Sequence, residues 1–250
     1  MEFDNKKVLI TGSTRGIGYA LAAHFLSQGA TVALNGRSNE KVTSAIAELG
    51  SQLAVNAHGD ITTPEACAKV VDSAIRGMGG LDILINNAGV FDIASIEDTD
   101  EAIWDSAMNT NVKAAFFCAK AALPALRDGG GSIINHASIA GLIGLANVAA
   151  YCTSKGALVQ LTRSMAMELA PDIRVNCVCP TTVNNDMGWQ GFNRSEDPNA
   201  AYQTFVEGSK MKRMPTNEDV VAAFSFLASE KASFMTGVAL PVDGGKSAGA

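Results

Sequence analysis

Short apolar runs alternate with amphipathic stretches from one end of the chain to the other. The runs are KVLIT (7–11), TVALN (31–35), LAVNA (53–57), LDILIN (81–86), SIINHAS (132–138), RVNCVC (174–179) and VALPV (238–242). Strands buried on both faces read this way, because neither face has to present polar residues to water. Between them the apolar positions recur at helical spacing, as in Ile17, Ala20, Leu21, His24 and Phe25, or Ala157, Leu158, Leu161, Met165 and Leu169. Strand and helix alternate throughout, which predicts an α/β fold: a doubly wound parallel sheet with helices on both faces and right-handed crossovers. No linker or repeat interrupts residues 1–250, so a single domain is expected. The one long irregular stretch, about 181–215, is polar and punctuated by Gly, Asn and Pro; such a segment in a compact domain predicts a substrate lid.

Composition narrows the function without choosing one. With 47% hydrophobic and 18% charged residues, the chain can bury a large core. Its net charge of −6 and its scattered Lys and Arg argue against a nucleic-acid partner. No segment has the length of a membrane span or the layout of a signal peptide, so a cytoplasmic location is expected. Cysteines 67, 118, 152, 177 and 179 lack the spacing of a metal site and read as small buried hydrophobes; no metal is expected. Cys152 stands apart only in following Tyr151.

After the first strand comes TGSTRGIG, with Gly12, Gly16 and Gly18 leading into a helix and Ser13, Thr14, Arg15 and Ile17 between them. Glycines there let backbone N–H groups approach a pyrophosphate at a helix N-terminus. An NAD-selective site carries a carboxylate at the end of the second strand to accept the ribose 2′-hydroxyl. This chain has Asn35, Gly36 and Arg37 there, and Arg15 inside the loop. Two guanidiniums and no carboxylate favour NADP(H) over the alternative, NAD(H). Asp60 and Ile61 follow the third strand, where they suit an adenine edge and face, and Asn87, Ala88 and Gly89 follow the fourth. Their recurrence at successive strand ends fits the rule that ligands in open α/β sheets bind along that edge.

Tyr151 and Lys155 stand four apart in a helical stretch and so project from one face. An ammonium beside a phenol favours the phenolate and lowers its pKa from about 10, giving a general acid/base near neutral pH.

Together these features resemble the short-chain dehydrogenase/reductase family in its common form. TGSTRGIG, GDI, NNAG, NTNV, SIINHAS, YCTSK, IRVNCVCP and FMTGVALPVDGG occur in the family's order over the whole chain. The resemblance implies a Rossmann-like fold and a catalytic set of Asn111, Ser138, Tyr151 and Lys155. Tyr151 would exchange the proton and Ser138 would orient the carbonyl. Lys155 would lower the tyrosine pKa and bind the nicotinamide ribose, and Asn111 would support Lys155 through a helix irregularity and a water chain. It also implies that Pro180, Val183 and Asn185 contact the cofactor with Tyr151 and Lys155, and that the C-terminal segment packs between subunits of a homotetramer. The activity implied is hydride transfer between NADP(H) and a small-molecule carbonyl or secondary alcohol. A nucleotide-sugar epimerase, whose glycine loop and larger C-terminal domain differ, and a non-catalytic nucleotide sensor are the rivals.

Two positions depart from the family pattern. Thr181 replaces the glycine after Pro180, and Asn185 stands where a threonine commonly contacts the nicotinamide amide. His136, two residues before Ser138, reads as a buried, hydrogen-bonded histidine or as a wall of the site. Met187, Trp189 and Phe192 suit an apolar substrate wall or simple packing within the lid, and the basic segment around Lys210, Lys212 and Arg213 reads as a connection into the next helix. Ketones, polyols, oxoacyl thioesters and steroid-like ketones all remain open as substrates.

Overall fold

The computed structural model describes residues 1–249. Seven parallel strands form one sheet in the order β3-β2-β1-β4-β5-β6-β7. They are β1 (Lys7–Ile10), β2 (Thr31–Leu34), β3 (Ala54–Asn56), β4 (Ile83–Asn86), β5 (Gly131–His136), β6 (Ile173–Pro180) and β7 (Ala239–Val242). Each lies within one or two residues of an apolar run in the sequence. The chain winds outward from β1 to β3 and then returns to place β4 on the other side of β1. Connections that diverge from neighbouring strands leave a crevice at their carboxyl ends, so the segments after β1 and β4 face a common cleft.

Helices α1 (Gly16–Ser27), α2 (Asn39–Leu49), α3 (Pro64–Met78), α4 (Glu101–Met108), α5 (Ala114–Arg127), α6 (Ala149–Leu169), α7 (Asp186–Phe192), α8 (Pro198–Gly208) and α9 (Asn217–Ala228) complete the described fold. Their starts are written in short polar side chains: Ser38, Thr63 and Asp100 each accept a backbone N–H of the first turn, and Thr216 and Asp219 form a reciprocal capping box. Phe3, Phe25 and Phe224 fill the core under α1 and α9, while Leu9, Leu84 and Ile133 face α3, α5 and α6. Truncating Phe224, which is wholly buried, removes about 3–5 kcal/mol by the usual cost of such cavities.

The 181–215 stretch departs from its expected irregularity, since it contains α7 and α8. Asn185 caps α7 through Gly188 N–H; Asp197 caps α8 with Pro198 in the first turn. Those caps sit among so many Asn, Ser and Gly that the polar composition conceals them.

Candidate active site

The glycine turn after β1 is held by side chains from two neighbouring strands. Thr11 Oγ1 accepts the N–H groups of Asn87 and Ala88, both at 3.0 Å, and Asn87 Nδ2 donates to the carbonyls of Thr11 (2.9 Å) and Gly12 (3.0 Å). Gly12 has φ +62°, and a Cβ there would stand 2.9 Å from Ala88 Cα; a Cβ on Gly18 would meet the Gly12 carbonyl at 2.3 Å. These two glycines are required by close approach. Gly16 differs: a Cβ would meet nothing, so the turn keeps open space beside the unpaired first-turn amides of α1. That is the shape a pyrophosphate needs.

Two side chains, Ser13 of this turn and Asn35 at the end of β2, look inward. Ser13 is wholly buried, donates to the Ile10 carbonyl at 2.8 Å and accepts Asn35 N–H at 2.9 Å. Asn35 spends its amide on the carbonyls of Ala57 (2.9 Å) and Gly59 (3.1 Å), so it braces the loop from behind and its side chain does not face a ribose. Arg15 and Arg37 are exposed, and neither pairs with a carboxylate among the described residues. Contact between Thr14 Cγ2 and Gly36, where a Cβ would sit at 2.8 Å, brings the two segments carrying them together. Asp60 is exposed and accepts from Thr62, whereas Ile61 packs into the core beside Cys67 and Val70, so little of it is left to cover a ring.

At the other end of the cleft, α6 presents Tyr151 and Lys155 beside Ser138, which ends the β5 connection. A Cβ on Gly141 would stand 2.6 Å from the Lys155 carbonyl, so this glycine allows the Ser138 loop to lie against the helix. Ser138 Oγ accepts Ala140 N–H at 3.1 Å and donates to the Pro180 carbonyl at 3.4 Å. Burial pushes the Tyr151 phenol up to about 12, against a hydrogen bond with Ser138 that pulls it down. Lys155, from which a lowering was expected, does not oppose this shift; the Ser138 hydrogen bond alone does. The reason is geometric: the Lys155 ammonium donates to the His136 carbonyl at 2.6 Å and lies 5.7 Å from the Tyr151 ring centre. Burial brings Lys155 itself down to about 8.

Asn111 sits in a π-helical turn, Asn109–Lys113, between α4 and α5, which is the irregularity the family pattern implies. Its buried side chain accepts Val90 N–H (2.8 Å) and donates to the Val90 carbonyl (3.1 Å) and Ser154 Oγ (2.9 Å). A Cβ on Gly89 would lie 3.1 Å from Asn111 Oδ1 and 3.6 Å from Lys155 Nζ, so the segment after β4 passes between them. Phe91, two residues on, meets the Tyr151 ring edge-on at 4.8 Å. Nothing in the sequence marks Phe91 except its nearness to NNAG, and Ser154 stands out only as the residue before Lys155 in YCTSK.

This geometry can be set beside known proteins. A family model described as Enoyl-(Acyl carrier protein) reductase matches residues 12–247. The chain is 38% identical to meso-2,3-butanediol dehydrogenase of Serratia marcescens, covering 99% of this chain and 97% of that one. It is also 38% identical to 2-(S)-hydroxypropyl-CoM dehydrogenase 3 of Xanthobacter autotrophicus, covering 98% and 97%. The crystal structure of short-chain dehydrogenase/reductase SDR:Glucose/ribitol dehydrogenase from Brucella melitensis superposes with a TM-score of 0.92 at 31% identity, covering 98% of each chain.

The chain belongs to the short-chain dehydrogenase/reductase family. It is an NAD(P)-dependent oxidoreductase with the family's Rossmann-like sheet.

Where β6 leaves the sheet, this dehydrogenase/reductase shows the effect of its two departures. Thr181 keeps the sheet register, donating its N–H to Val242 at 3.1 Å, and its hydroxyl is buried without a partner among the described residues. Val183 is buried in the core under α1 and α9. Asn185 holds the start of α7: Oδ1 accepts Gly188 N–H at 3.1 Å and Nδ2 donates to Asn217 at 3.0 Å, which leaves one amide N–H free for a contact. Trp189 stacks on Tyr202 at 5.3 Å and Phe192 meets Trp189, Tyr202 and Phe205 edge-on, so the aromatics of the 181–215 segment pack on one another, while Met187 is 43% exposed. Arg213 pairs with Asp219 at the start of α9, fulfilling the connecting role read from the sequence. Cys67, Cys118, Cys177 and Cys179 are buried and unpaired.

No helix among the described residues is long and apolar enough to cross a membrane.

Proposed function

We propose that this enzyme is an NADP(H)-dependent oxidoreductase interconverting a small secondary alcohol and its ketone, with Tyr151 as general acid/base. The observation that carries this reading is the convergence of Ser138, Tyr151 and Lys155 on the cleft whose other end is an open glycine turn. The glycine turn and the amides from Gly16 to Gly18 would hold the pyrophosphate, Arg15 and Arg37 the 2′-phosphate, and Asp60 the adenine edge, with Asn87, Ala88 and Gly89 forming the floor. The bound nicotinamide supplies or accepts the hydride, and its oxidised form carries a positive charge of the kind that lowers a neighbouring phenol's pKa.

The protein's own part is positional and electrostatic. Ser138 holds the substrate oxygen beside the phenol; Tyr151 gives its proton to that oxygen in reduction and takes it in oxidation. Lys155 supplies the positive charge that the phenolate needs, and Asn111 fixes the π-helical turn behind it. The NADP(H) preference is supported by two guanidiniums without partners and by an Asn35 that offers no carboxylate, with NAD(H) as the alternative. Curated relatives named for butanediol and for a hydroxypropyl compound favour a compact hydroxy substrate.

The five free cysteines suit a reducing cytoplasm. A homotetramer is the proposed assembly, for which the exposed Trp104, Phe116 and Phe234 provide apolar faces. No nucleic acid or membrane enters the proposed role.

The deciding experiment is initial rates of NADPH and NADH oxidation over a carbonyl panel that includes diketones, polyol-derived ketones, oxoacyl thioesters and steroid ketones, with Tyr151→Phe alongside. Turnover that prefers NADPH and falls by about a hundredfold or more in the variant is expected. Undiminished turnover in Tyr151→Phe refutes the assignment.

A further inference from the structure

His136 is the last residue of β5 and faces two parts of the site at once. Its carbonyl accepts the Lys155 ammonium at 2.6 Å, and its ring Nδ1 lies 2.9 Å from Asn87 Oδ1. The orientation of Asn87 is fixed independently, because Nδ2 is spent on the carbonyls of Thr11 and Gly12. Asn87 therefore presents an acceptor to His136, and Nδ1 must carry the proton. The ring is steadied from its other side by Phe224, edge-on at 5.4 Å. Backbone register fixes the carbonyl: His136 pairs with Val178, and Ala137 N–H donates to the Val178 carbonyl at 2.9 Å.

A continuous line of hydrogen bonds thus runs from the Thr11–Gly12 turn through Asn87 and His136 to Lys155. We propose that His136 is a positioning residue whose imidazole N–H sets the glycine turn at the distance from Lys155 that a dinucleotide must span. This rests on the proposed nucleotide-dependent function and deepens it: one residue gauges the separation of the pyrophosphate end from the ribose-binding end. Without the imidazole donor, Asn87 Oδ1 loses its partner, Asn87 can turn, and the two carbonyls it restrains are released.

The test compares His136→Phe, which keeps ring volume and the Phe224 contact but removes the donor, with His136→Asn, whose amide N–H can replace Nδ1–H. NADPH affinity of the substrate-free protein is read by titration calorimetry, beside the melting temperature. His136→Phe is expected to weaken NADPH binding about tenfold, the scale of one lost hydrogen bond to a buried acceptor. His136→Asn is expected to recover most of that loss, and KM for NADPH should rise in parallel while kcat at saturation holds. His136→Leu replaces the phenylalanine variant if that one does not fold. Equal NADPH affinity in a folded donor-free variant, or no recovery in folded His136→Asn, overturns the inference. Failure of the unsubstituted protein to bind either nucleotide would instead overturn the proposed function.

Discussion

Substituting Gly141 by alanine places a methyl group against the backbone of α6. The added Cβ would lie 2.6 Å from the Lys155 carbonyl oxygen, 2.7 Å from its carbon and 3.0 Å from Gly156 N. Nonbonded carbon contacts settle near 3.5 Å, so the Ser138 loop and α6 must part by roughly 1 Å. All three atoms are backbone, and no side chain can rotate to absorb the change. Overpacking of this kind costs about 1–3 kcal/mol in stability, while a displacement of about 1 Å between reacting groups can cost about a hundredfold in rate. Gly141→Ala should therefore remain folded while losing about a hundredfold in kcat, which is about 2.7 kcal/mol of barrier. Nucleotide affinity should fall as well, because the shift moves Lys155, placed at the nicotinamide ribose in the proposed function, relative to the glycine turn. Gly144→Ala is the matched control: it lies in the same connection, and its Cβ would meet nothing within 4 Å. Steady-state kinetics at saturating NADPH, with thermal melts of both variants, make the comparison. A folded Gly141→Ala enzyme whose kcat stays within about threefold of the unsubstituted one would refute the claim that this close approach sets the Ser138–Tyr151 geometry.

Further outcomes follow from buried charge and from the lid. Burial holds Lys155 at about 8 against an ordinary 10.5, so its ammonium costs the fold below pH 8, and that cost fades between pH 8 and 10.5 as the folded protein gives up a proton that the unfolded chain still keeps. Urea melts should show the parent gaining about 2 kcal/mol over Lys155→Met between pH 7 and 9.5; identical pH slopes would contradict this. His136 is held down to about 3 by burial and by the Lys155 charge, while Asn87 and Phe224, its other neighbours, are uncharged. The unfolded chain then takes up a proton that the folded one refuses, and relative to His136→Asn the parent should lose about 2 kcal/mol between pH 7.5 and 5 in the same assay. A parallel pair of curves counts against a neutral buried imidazole. A Cβ on Gly188 would sit 1.9 Å from the Val183 carbonyl, so Gly188→Ala should unseat the start of α7 and raise the substrate KM with little effect on NADPH affinity; an unchanged KM would separate α7 from substrate binding.

The seven strands were legible because burial on both faces writes itself as short runs rich in Val, Ile, Leu and Ala, and the similar run VVAAF (220–224) of α9 is set apart by the Thr216 capping box before it. Tyr151 and Lys155 were legible for a simpler reason, since spacing of four along one helix survives any tertiary arrangement. The partner that Lys155 takes was not: the His136 carbonyl lies nineteen residues away and is placed by how β5 packs on α6. Asn35 shows the same limit. Its position at the end of β2 was correct, but the direction of its side chain depends on the carbonyls of Ala57 and Gly59, which arrive from another connection. The helix-capping role of Asn185 was not legible, because it depends on α7 beginning there and on Asn217 of α9 lying within reach. Whether the aromatics of the 181–215 segment form a substrate wall or pack together was likewise not legible, and Trp189 stacking on Tyr202 resolves it.

The π-helical turn at Asn109–Lys113 has a consequence for how this site can change. Such a turn contains one residue more than a regular helix of the same rise would need. Deleting that residue would let α4 and α5 fuse into an ordinary helix and turn the Asn111 amide away from Val90 and Ser154. The Val90 N–H and carbonyl would each lose a partner, at about 1–3 kcal/mol where they stay buried, and the contact with Ser154 beside Lys155 would be gone. Activity here is therefore held in register as well as in composition, and point substitutions alone cannot explore it.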